Sequence, residues 1–389
     1  MGEKKKLVRI TTVPISLKVL LKGQHKFFSD YYEVIGVSSE GKELIEVGQN
    51  ENIRVVSLSM TRSISPLLDL ISLFKLYNLL KREHPFIVHS HTPKAGILGM
   101  VAARMAGVPI RLHTVAGMPL MEASGVKRKI LEVVESFTYK FATKVYPNSL
   151  GLNEFILNQK FTKPEKLKVL GNGSSNGIDV SHFDPRNFSA EQNQHLKAVL
   201  GINEHDFVFI FVGRLVADKG INELLQAFDK LTKNSGDVKL VLVGSLESEL
   251  DPLNSDSLNI ISSNSFVKSV GFQNDVRPYF AISNCLVFPS YREGFPNVVM
   301  QAGAMGLPSI VSNINGCNEI IVEGENGTII APKDYEAIYE SMVKFLKDPL
   351  YKEKLQQKAR FMIESRYGQQ VIWNALLAEY KSFESNISK

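Results

Sequence analysis

The sequence has few of the features that stabilise a secreted protein or anchor one in a membrane. Its 389 residues include two cysteines, Cys285 and Cys317, which are too few for a disulfide framework and lack metal-ligand spacing. The longest apolar runs, such as residues 207–213, have strand length and fall far short of the roughly 20 residues that span a bilayer. We therefore expect buried thiols, no membrane-spanning helix and a cytoplasmic location.

Positive charge is concentrated in the first half of the chain. Residues 1–175 contain 25 Lys and Arg against 14 Asp and Glu, a net charge of +11, whereas the remainder has a net charge of −6. A basic half favours an anionic partner: nucleic acid, an anionic membrane surface or a phosphate-linked substrate, with ordinary surface scatter as the alternative. Because no recognisable nucleic-acid-binding motif accompanies these charges, we expect no nucleic-acid partner.

Short β-branched runs alternate with amphipathic segments of helix length, which predicts βαβ units and parallel sheets. The predicted strands are 6–13, 32–39, 54–60, 86–92, 110–116, 144–149 and 168–174 in the first half, and 207–215, 239–246, 266–272, 285–290, 308–313 and 328–332 in the second. The clearest helix is 65–83, with Ser65 as its N-cap and Pro66 at its first position. From Asp334 onward we predict three helices, with breaks near Pro349 and Gly368.

A stretch rich in Gly, Asn and Ser at residues 171–188 interrupts this alternation and is predicted to be a hinge. The predicted fold is therefore α/β, with two Rossmann-like doubly wound domains that face each other across a cleft. The domains are residues 1–175 and 176–370, and a C-terminal helix at 371–389 is expected to pack back on the first domain. In open sheets of this kind, ligands bind outside the carboxyl ends of the strands.

Two cations follow the first strand of the second half, in the segment VGRLVADKG at 212–220. Arg214 and Lys219 lie between the strand end and a helix whose N-terminal amides also favour anions. Two fixed cations beside a helix N-terminus suit a diphosphate, both as a bound group and as a leaving group. The segment contains neither GxxxxGK[ST] nor GxGxxG, so it is not a P-loop or a dinucleotide fingerprint. A basic surface loop is the alternative.

A carboxylate and an amide flank the start of a later helix, in REGFPNVVMQAGAMG at 292–306. Glu293 precedes the helix in a Gly-containing turn, so its carboxylate and the two following amides can face a ligand. Pro296 suits the first helical turn, and Gly306 suits the residue after the last turn. Gln301 lies more than a turn inside, where it would hold a different part of the same ligand. The alternative is a buried loop carboxylate and an unrelated amide.

These two stretches together resemble the retaining GT-B glycosyltransferases of family 4, the group 1 glycosyltransferases. The family signature E-G-F-x-x-x-x-x-E matches residues 293–295 and ends here at Gln301, with G-R-L-x-x-x-K-G upstream. The segments HSHTPKAGILGMVAARMAGVP at 89–109 and GNGSSNGIDVSHF at 171–183 also look like family segments, so the similarity covers nearly the whole chain. The chain most resembles bacterial capsule, exopolysaccharide and O-antigen sugar transferases.

The resemblance implies transfer of a sugar from a nucleotide-sugar donor, expected to be UDP-linked, to a growing glycan on a polyprenyl diphosphate lipid. It implies donor binding by the C-terminal domain, acceptor binding by the N-terminal domain, and retaining catalysis without a metal or cofactor. Arg214 and Lys219 would neutralise the diphosphate and Glu293 would lie near the donor sugar, which makes these three the expected catalytic residues. The matching donor-site residues are Gly213, Arg214, Lys219, Glu293, Gly294, Phe295, Asn297, Val298 and Gln301.

Two positions depart from the family pattern. Gln301 stands where most members have a second glutamate that holds the ribose hydroxyls, so we expect weaker or altered nucleotide binding because an amide lacks the carboxylate's charge. Ala116 stands where a histidine often lies near the reacting sugar. His91, Lys94 and His113 remain as candidate acceptor contacts, although His113 can instead be a core residue and Lys94 a solvated one.

Two other functions fit the same fold. A non-catalytic scaffold or binding subunit would account for Gln301 and Ala116 as marks of decay, but the retention of Arg214, Lys219 and Glu293 argues against it. A sugar-nucleotide epimerase also has two such domains, but the pairing of the two motifs favours a transferase. The basic first half and a lipid-linked acceptor together predict peripheral association with an anionic membrane surface.

Overall fold

The structure is a computed structural model, and it describes residues 4–387 apart from positions 62, 64, 248 and 250. The chain divides into two compact units. One unit is formed by the chain up to Gly177 together with the chain from Gln370 onward, and the other comprises Ile178–Gln369. The boundary at residues 177–178 lies inside the Gly- and Asn-rich stretch that was predicted to be a hinge.

The first unit is built on one parallel sheet. Its strands are β1 Lys6–Ile10, β2 Glu33–Ser38, β3 Arg54–Ser57, β4 Ile87–Ser90, β5 Ile110–Val115 and β6 Lys144–Pro147. The helices between and after them are α1 Pro14–Leu20, α2 Gln24–Ser29, α3 Lys42–Asn50, α4 Pro66–Glu83, α5 Pro93–Met105, α6 Gly125–Phe141 and α7 Leu150–Asn158. The strand order is β3-β2-β1-β4-β5-β6, so the winding direction reverses between β1 and β4.

The second unit repeats this architecture. Its strands are β7 Phe207–Val212, β8 Val238–Val243, β9 Val267–Gly271, β10 Cys285–Phe288, β11 Ser309–Ser312 and β12 Gly327–Ile330. Its helices are α8 Ala190–Val199, α9 Ile221–Thr232, α10 Ser255–Ser263, α11 Arg277–Ala281, α12 Asn297–Ala304, α13 Cys317–Ile320, α14 Tyr335–Lys347 and α15 Pro349–Tyr367. The order β12-β11-β10-β7-β8-β9 reverses between β7 and β10. Two doubly wound parallel sheets are therefore confirmed.

The last helix, α16 Gln369–Ile387, completes the first unit. Its residues Leu376 and Tyr380 join Leu7 and Phe28 in one core cluster, on the face of the sheet opposite to α5. The three predicted C-terminal helices are thus confirmed as α14, α15 and α16. Cys285 and Cys317 are free and buried in the second unit, as predicted.

The predicted strand at 168–174 is wrong. The amide of Lys168 donates to the carbonyl of Val145, but the chain then turns away instead of extending the sheet. Gly171 and Gly173 have φ values of +56° and +99°, and Ser174 has +69°, which a strand cannot adopt. Periodicity alone predicts a strand for the apolar run before the glycines, because it does not reveal these left-handed residues.

The start of α4 is as predicted, but its cap is not. Ser65 occupies the N-cap and Pro66 the first helical position, yet the Ser65 side chain does not cap the helix. Its backbone N–H donates instead to the Asp69 carboxylate at 3.2 Å. The acidic side chain in the first turn therefore satisfies the exposed end of the helix, where a negative charge also suits the helix dipole.

Candidate active site

The two motifs of the second half meet at the carboxyl ends of β7 and β10. These strands are neighbours in the sheet, although about eighty residues separate their motifs in sequence. The chain leaves β7 toward β8 and β9 on one side and reaches β10 and β11 on the other. Such a reversal opens a crevice above the strand ends, which is where doubly wound sheets bind nucleotides.

Lys219 and Glu293 form a close ion pair in this crevice. The Lys219 Nζ donates to Glu293 Oε1 at 2.6 Å, and Glu293 Oε1 also accepts from Ser290 Oγ at 3.0 Å. Both side chains are largely buried, at 15% and 18% exposure. The contact therefore joins the loop after β7 to the loop after β10, and it leaves one Glu293 oxygen for a ligand.

Gly220 makes this arrangement possible. It has φ +70° at the N-cap of α9, directly after Lys219. A Cβ at this position would lie 2.2 Å from the carbonyl oxygen of Pro289, in the loop that leads to Glu293. Only glycine permits both the left-handed conformation and this approach of the two loops. Gly220, the last residue of the GRLVADKG segment, therefore allows Lys219 to reach Glu293.

Arg214 has a different carboxylate partner from Lys219. Gly213 closes the end of β7 by donating to the carbonyl of Val243 at 2.9 Å. Arg214 follows, is half-exposed, and donates to Glu247 Oε2 at 3.0 Å. Both predicted cations thus stand at the carboxyl edge of the sheet, each neutralised by a different acidic side chain.

A surface pocket beside Arg214 contains residues that the sequence did not indicate. It is lined by Arg214, Ala217, Asp218, Asp251, Tyr291 and Arg292. Arg292 contacts Asp218 at 3.0 Å, and Tyr291 donates to Glu223 at 2.6 Å. Burial, together with the bond to Glu223, raises the pKa of Tyr291. A signal was available, since Asp218 lies inside GRLVADKG and Tyr291-Arg292 directly precedes Glu293.

The turn between Glu293 and α12 is fixed by contacts with Asn315 and Tyr367. Asn315 Nδ2 donates to the carbonyls of Glu293 and Gly294, and the Phe295 ring packs edge-on against Tyr367 with centroids 5.5 Å apart. These contacts fix the backbone of the turn directly before α12 begins. Pro296 is the N-cap rather than a residue of the first helical turn, which corrects the prediction by one position.

The start of α12 presents the remaining donor-site candidates. Asn297 and Val298 are the first helical residues, so their amides have no partner within the helix. Gln301 lies one turn further along and is half-buried. Its side-chain amide makes no hydrogen bond to the residues that the structure describes. Gly306 has φ +82° immediately after the helix, as predicted for its terminal position.

In the first unit, the acceptor candidates lie near the reversal between β1 and β4. The loops after these strands are joined by Thr12 and Thr92, whose hydroxyl oxygens are 2.7 Å apart. Lys94, in the first turn of α5, contacts Asp69 Oδ1 at 2.7 Å and is only 12% exposed. It is therefore an ion-paired residue at this edge, not the solvated lysine considered from the sequence.

His113 is buried under α5. Its Nδ1 lies 2.9 Å from Ser90 Oγ, and a Cβ on Gly96 would approach its ring to 2.6 Å. Burial lowers the pKa of His113 to about 4, so its imidazole is neutral at physiological pH. The side chain therefore packs between the sheet and α5, as the core residue considered from the sequence.

His91 belongs to a second buried polar cluster. The Arg9 guanidinium donates to His91 Nε2 at 3.0 Å, and His91 stacks against His89 with ring centroids 4.2 Å apart. His89 in turn lies 2.6 Å from Tyr380 Oη, and His25 is fully buried nearby in α2. Burial, and after it neighbouring positive charge, lowers the pKa of all three histidines.

No group of three or more His, Cys, Asp or Glu side chains among residues 4–387, leaving aside the four gaps, is arranged to hold a metal ion. Within the same described stretch, no helix is both long enough and apolar enough to span a bilayer.

Solved structures identify the fold. A glycosyltransferase from Rickettsia africae superposes with a TM-score of 0.80 at 19% identity, over 99% of this chain and 100% of that one. Anabaena HepE, crystallised with UDP and glucose, superposes with a TM-score of 0.78 at 19% identity, over 97% of this chain and 100% of that one. The two doubly wound units therefore have the fold of the GT-B glycosyltransferases.

Sequence comparison identifies the family. Residues 192–362 match the model of the glycosyl transferases group 1, and residues 36–173 match the glycosyl transferase 4-like domain. The capsular polysaccharide biosynthesis glycosyltransferase CapM of Staphylococcus aureus is 36% identical, with 97% of each chain covered. An Escherichia coli UDP-Gal:α-D-GlcNAc-diphosphoundecaprenol α-1,3-galactosyltransferase is 32% identical over 75% of this chain and 74% of that one. The chain belongs to the group 1 glycosyltransferases, as its motifs predicted.

Proposed function

We propose that the protein transfers a hexosyl or N-acetylhexosaminyl group from a UDP-sugar to a polyprenyl-diphosphate-linked glycan during surface polysaccharide biosynthesis. The similarity to CapM supports the pathway, and the E. coli relative acts on a diphosphoundecaprenol-linked sugar with a UDP donor. The observation that carries the proposal is the Lys219–Glu293 contact at the reversal between β7 and β10.

The donor diphosphate would bind between Arg214 and Lys219. Both cations lie at the carboxyl edge of the sheet, and both are held by carboxylates that an anionic ligand can replace. The Glu293 oxygen that does not face Lys219, with the amides of Gly294 and Phe295, would then contact the donor sugar. Asn297 and Val298 would direct their free amides toward the diphosphate, since helix N-termini favour anions.

The proposed reaction retains configuration through attack on one face of the sugar. The bond between the anomeric carbon and the diphosphate oxygen breaks, and the acceptor hydroxyl oxygen bonds to the same face of that carbon. The departing UDP oxygen takes the hydroxyl proton, so no protein base is required. Arg214 and Lys219 stabilise the charge that develops on the leaving group, which makes a divalent cation unnecessary.

The first unit would hold the acceptor, and its excess of positive charge suits a diphosphate carrier at an anionic membrane surface. Lys94 is the proposed contact to an acceptor phosphate, which would displace Asp69. His91 and His113 would support this edge from the interior, because burial keeps both neutral and holds them in place. The protein would then work at the cytoplasmic face of the membrane.

The test is a panel of UDP-, GDP-, ADP- and CMP-sugars, scored first by thermal stabilisation and then by nucleotide release with and without a lipid-linked acceptor. We expect one UDP-sugar to stabilise the protein, and acceptor-dependent UDP release to persist in EDTA. The anomeric configuration of the product, measured by NMR, tests retention. Interconversion of the sugar without acceptor would indicate an epimerase, and no stabilisation by any donor would indicate a scaffold.

We predict that Gln301→Glu strengthens UDP binding. A charge-assisted hydrogen bond to the ribose hydroxyls exceeds a neutral one by about 1 kcal/mol, which corresponds to a roughly fivefold lower Kd. Isothermal titration with UDP measures the change. Gln226→Glu adds the same charge on the exposed face of α9 and should leave Kd unchanged. Unchanged or weaker binding by Gln301→Glu would show that this side chain does not reach the ribose.

A further inference from the structure

The outward face of α4 is apolar where a surface helix should be polar. Leu67, Leu70, Ile71 and Phe74 recur at the i, i+3, i+4, i+7 spacing of one helical face, and they are between 45% and 73% exposed. A separate set of α4 residues enters the core, at Leu76, Leu79 and Leu80. The helix is therefore apolar on two sides, only one of which the fold covers.

The outward face of α6 repeats this pattern. Val126, Ile130, Val133 and Phe137 follow one another at i, i+4, i+7 and i+11, with exposures from 42% to 75%. Both helices pack against α5, one on either side of it, so the two apolar stripes lie on the same side of the unit. We refer to these eight residues of α4 and α6 as the α4/α6 surface.

The helices that carry the α4/α6 surface expose unpaired lysines, whereas their acidic side chains are ion-paired or buried. Lys75, Lys127 and Lys129 are exposed on the two helices and have no ion pair among the residues that the structure describes. The carboxylates of α4 and α6 are either ion-paired or buried: Asp69, Glu83, Glu132 and Glu135. The surface thus combines exposed apolar area with unpaired cations.

The α4/α6 surface also borders the edge that would bind the acceptor. Helices α4 and α5 both begin at the carboxyl edge of the sheet, and the contact between Lys94 and Asp69 joins their first turns. Leu67 precedes Asp69 by two positions and Leu70 follows it directly. A structure that covers the apolar stripe of α4 would therefore lie close to Lys94.

We propose that the α4/α6 surface docks on an anionic lipid bilayer, with the apolar stripes at the acyl boundary and the lysines among the headgroups. This inference rests on the proposed function, in which the acceptor is lipid-linked, and it names the surface that approaches the acceptor's membrane. A second copy of the chain is a less suitable occupant, because it would bring two sets of unpaired lysines together.

The test is co-sedimentation of the full chain with vesicles of phosphatidylcholine, with and without phosphatidylglycerol. We expect binding only to the anionic vesicles, and weaker binding at high salt. Leu67→Ser with Phe74→Ser should reduce the partition coefficient by at least about tenfold, since two apolar anchors are lost. Lys127→Gln with Lys129→Gln should reduce it by roughly 30-fold, at about 1 kcal/mol per cation.

Matched changes on the second unit serve as controls. Leu350→Ser with Phe361→Ser removes two apolar residues of α15 that are 78% and 70% exposed. Lys347→Gln with Lys354→Gln removes two exposed cations. Both controls should bind vesicles like the unmodified chain. Equal binding by all four variants, or no binding by the unmodified chain, would overturn the proposal. If the α4 variant loses a dimer but still binds vesicles, the α4/α6 surface is an interface with a second copy of the chain.

Failure of the docking surface and failure of the proposed function can be told apart. The α4 and α6 variants should keep UDP-sugar binding and should transfer sugar normally to a detergent-dispersed acceptor, while transfer to a vesicle-embedded acceptor falls at least tenfold. Equal activity on both acceptors in every variant would contradict the docking proposal, while the proposed transferase function would still stand. Loss of UDP-sugar binding by the unmodified chain would contradict the proposed function itself.

Discussion

Replacing Lys219 with methionine is expected to lower kcat by about two to three orders of magnitude, the usual cost of removing one fixed group that stabilises developing charge. Lys219 is largely buried, and its ammonium lies 2.6 Å from Glu293. Methionine preserves most of the side-chain volume but leaves Glu293 unopposed beside an anionic donor. We therefore also expect a higher KM. Initial rates of UDP release with saturating acceptor measure both parameters.

The α9 helix supplies a matched control. Lys230 contacts Glu336 at the same distance of 2.6 Å, but both side chains are more than 40% exposed, so this pair contributes little. Lys230→Met should therefore leave kcat and KM unchanged. An equal and small loss in both variants would mean that Lys219 has only a structural role.

A double variant separates two explanations for the loss. If Lys219 serves only to neutralise Glu293, then Lys219→Met with Glu293→Gln should regain activity relative to Lys219→Met alone. If Lys219 binds the diphosphate, the double variant should remain as slow as the single one or slower. We expect the second result, since the contact to Glu293 is the one that a bound donor would replace. The two effects should also be non-additive, because the side chains share a contact.

Most of the secondary structure could be predicted because strands buried in parallel sheets are almost entirely apolar and helices begin at clear signals. The failure at residues 168–174 has a local cause, since left-handed conformations at Gly171, Gly173 and Ser174 end an apolar run that resembles a strand. Pro296 was misplaced by one residue, within the ordinary uncertainty of helix ends.

The residues of the candidate site could be predicted from their motifs, but their contacts could not. The sequence gives no reason for Arg214 to face Glu247 while Lys219 faces Glu293, because these pairs are separated by 33 and 74 positions. Strand order brings them together, and strand order depends on the whole sheet. The support of the Glu293 turn by Asn315 was missed for the same reason.

The buried histidines of the first unit lead to a prediction about stability. His25, His89, His91 and His113 are each at most 4% exposed, and burial is the main cause of the lowered pKa of each. In the unfolded chain each has a pKa near 6.5. The unfolded state therefore binds more protons once the pH falls below about 6.5, and folding stability decreases from there toward the folded pKa, which is about 4 for His113. Above this range the stabilisation is fully present.

Between pH 7.5 and 5.5 we expect the free energy of unfolding to fall by on the order of 1 kcal/mol for each of the four histidines, and by several kcal/mol for the four together. This is a large part of the total stability of a typical domain. The Arg9–His91 contact adds to this loss of stability at low pH. The guanidinium donates to an imidazole nitrogen of His91, and protonation of that nitrogen would break the hydrogen bond. Denaturant unfolding at a series of pH values measures the slope.

His25→Leu provides the most direct test of this account. Both His25 ring nitrogens lack a partner of good geometry among the residues that the structure describes, so leucine removes a titrating group without breaking a close hydrogen bond. The loss between pH 7.5 and 5.5 should become smaller by on the order of 1 kcal/mol. The exposed His205→Gln should leave the slope unchanged. An unaltered slope in His25→Leu would mean that His25 is protonated with equal ease in both states, and the loss between pH 7.5 and 5.5 would then arise from the other three histidines. It cannot arise from carboxylates such as Glu83 and Asp184. The pKa of each is lowered to about 2, so their contribution is lost only at more acid pH.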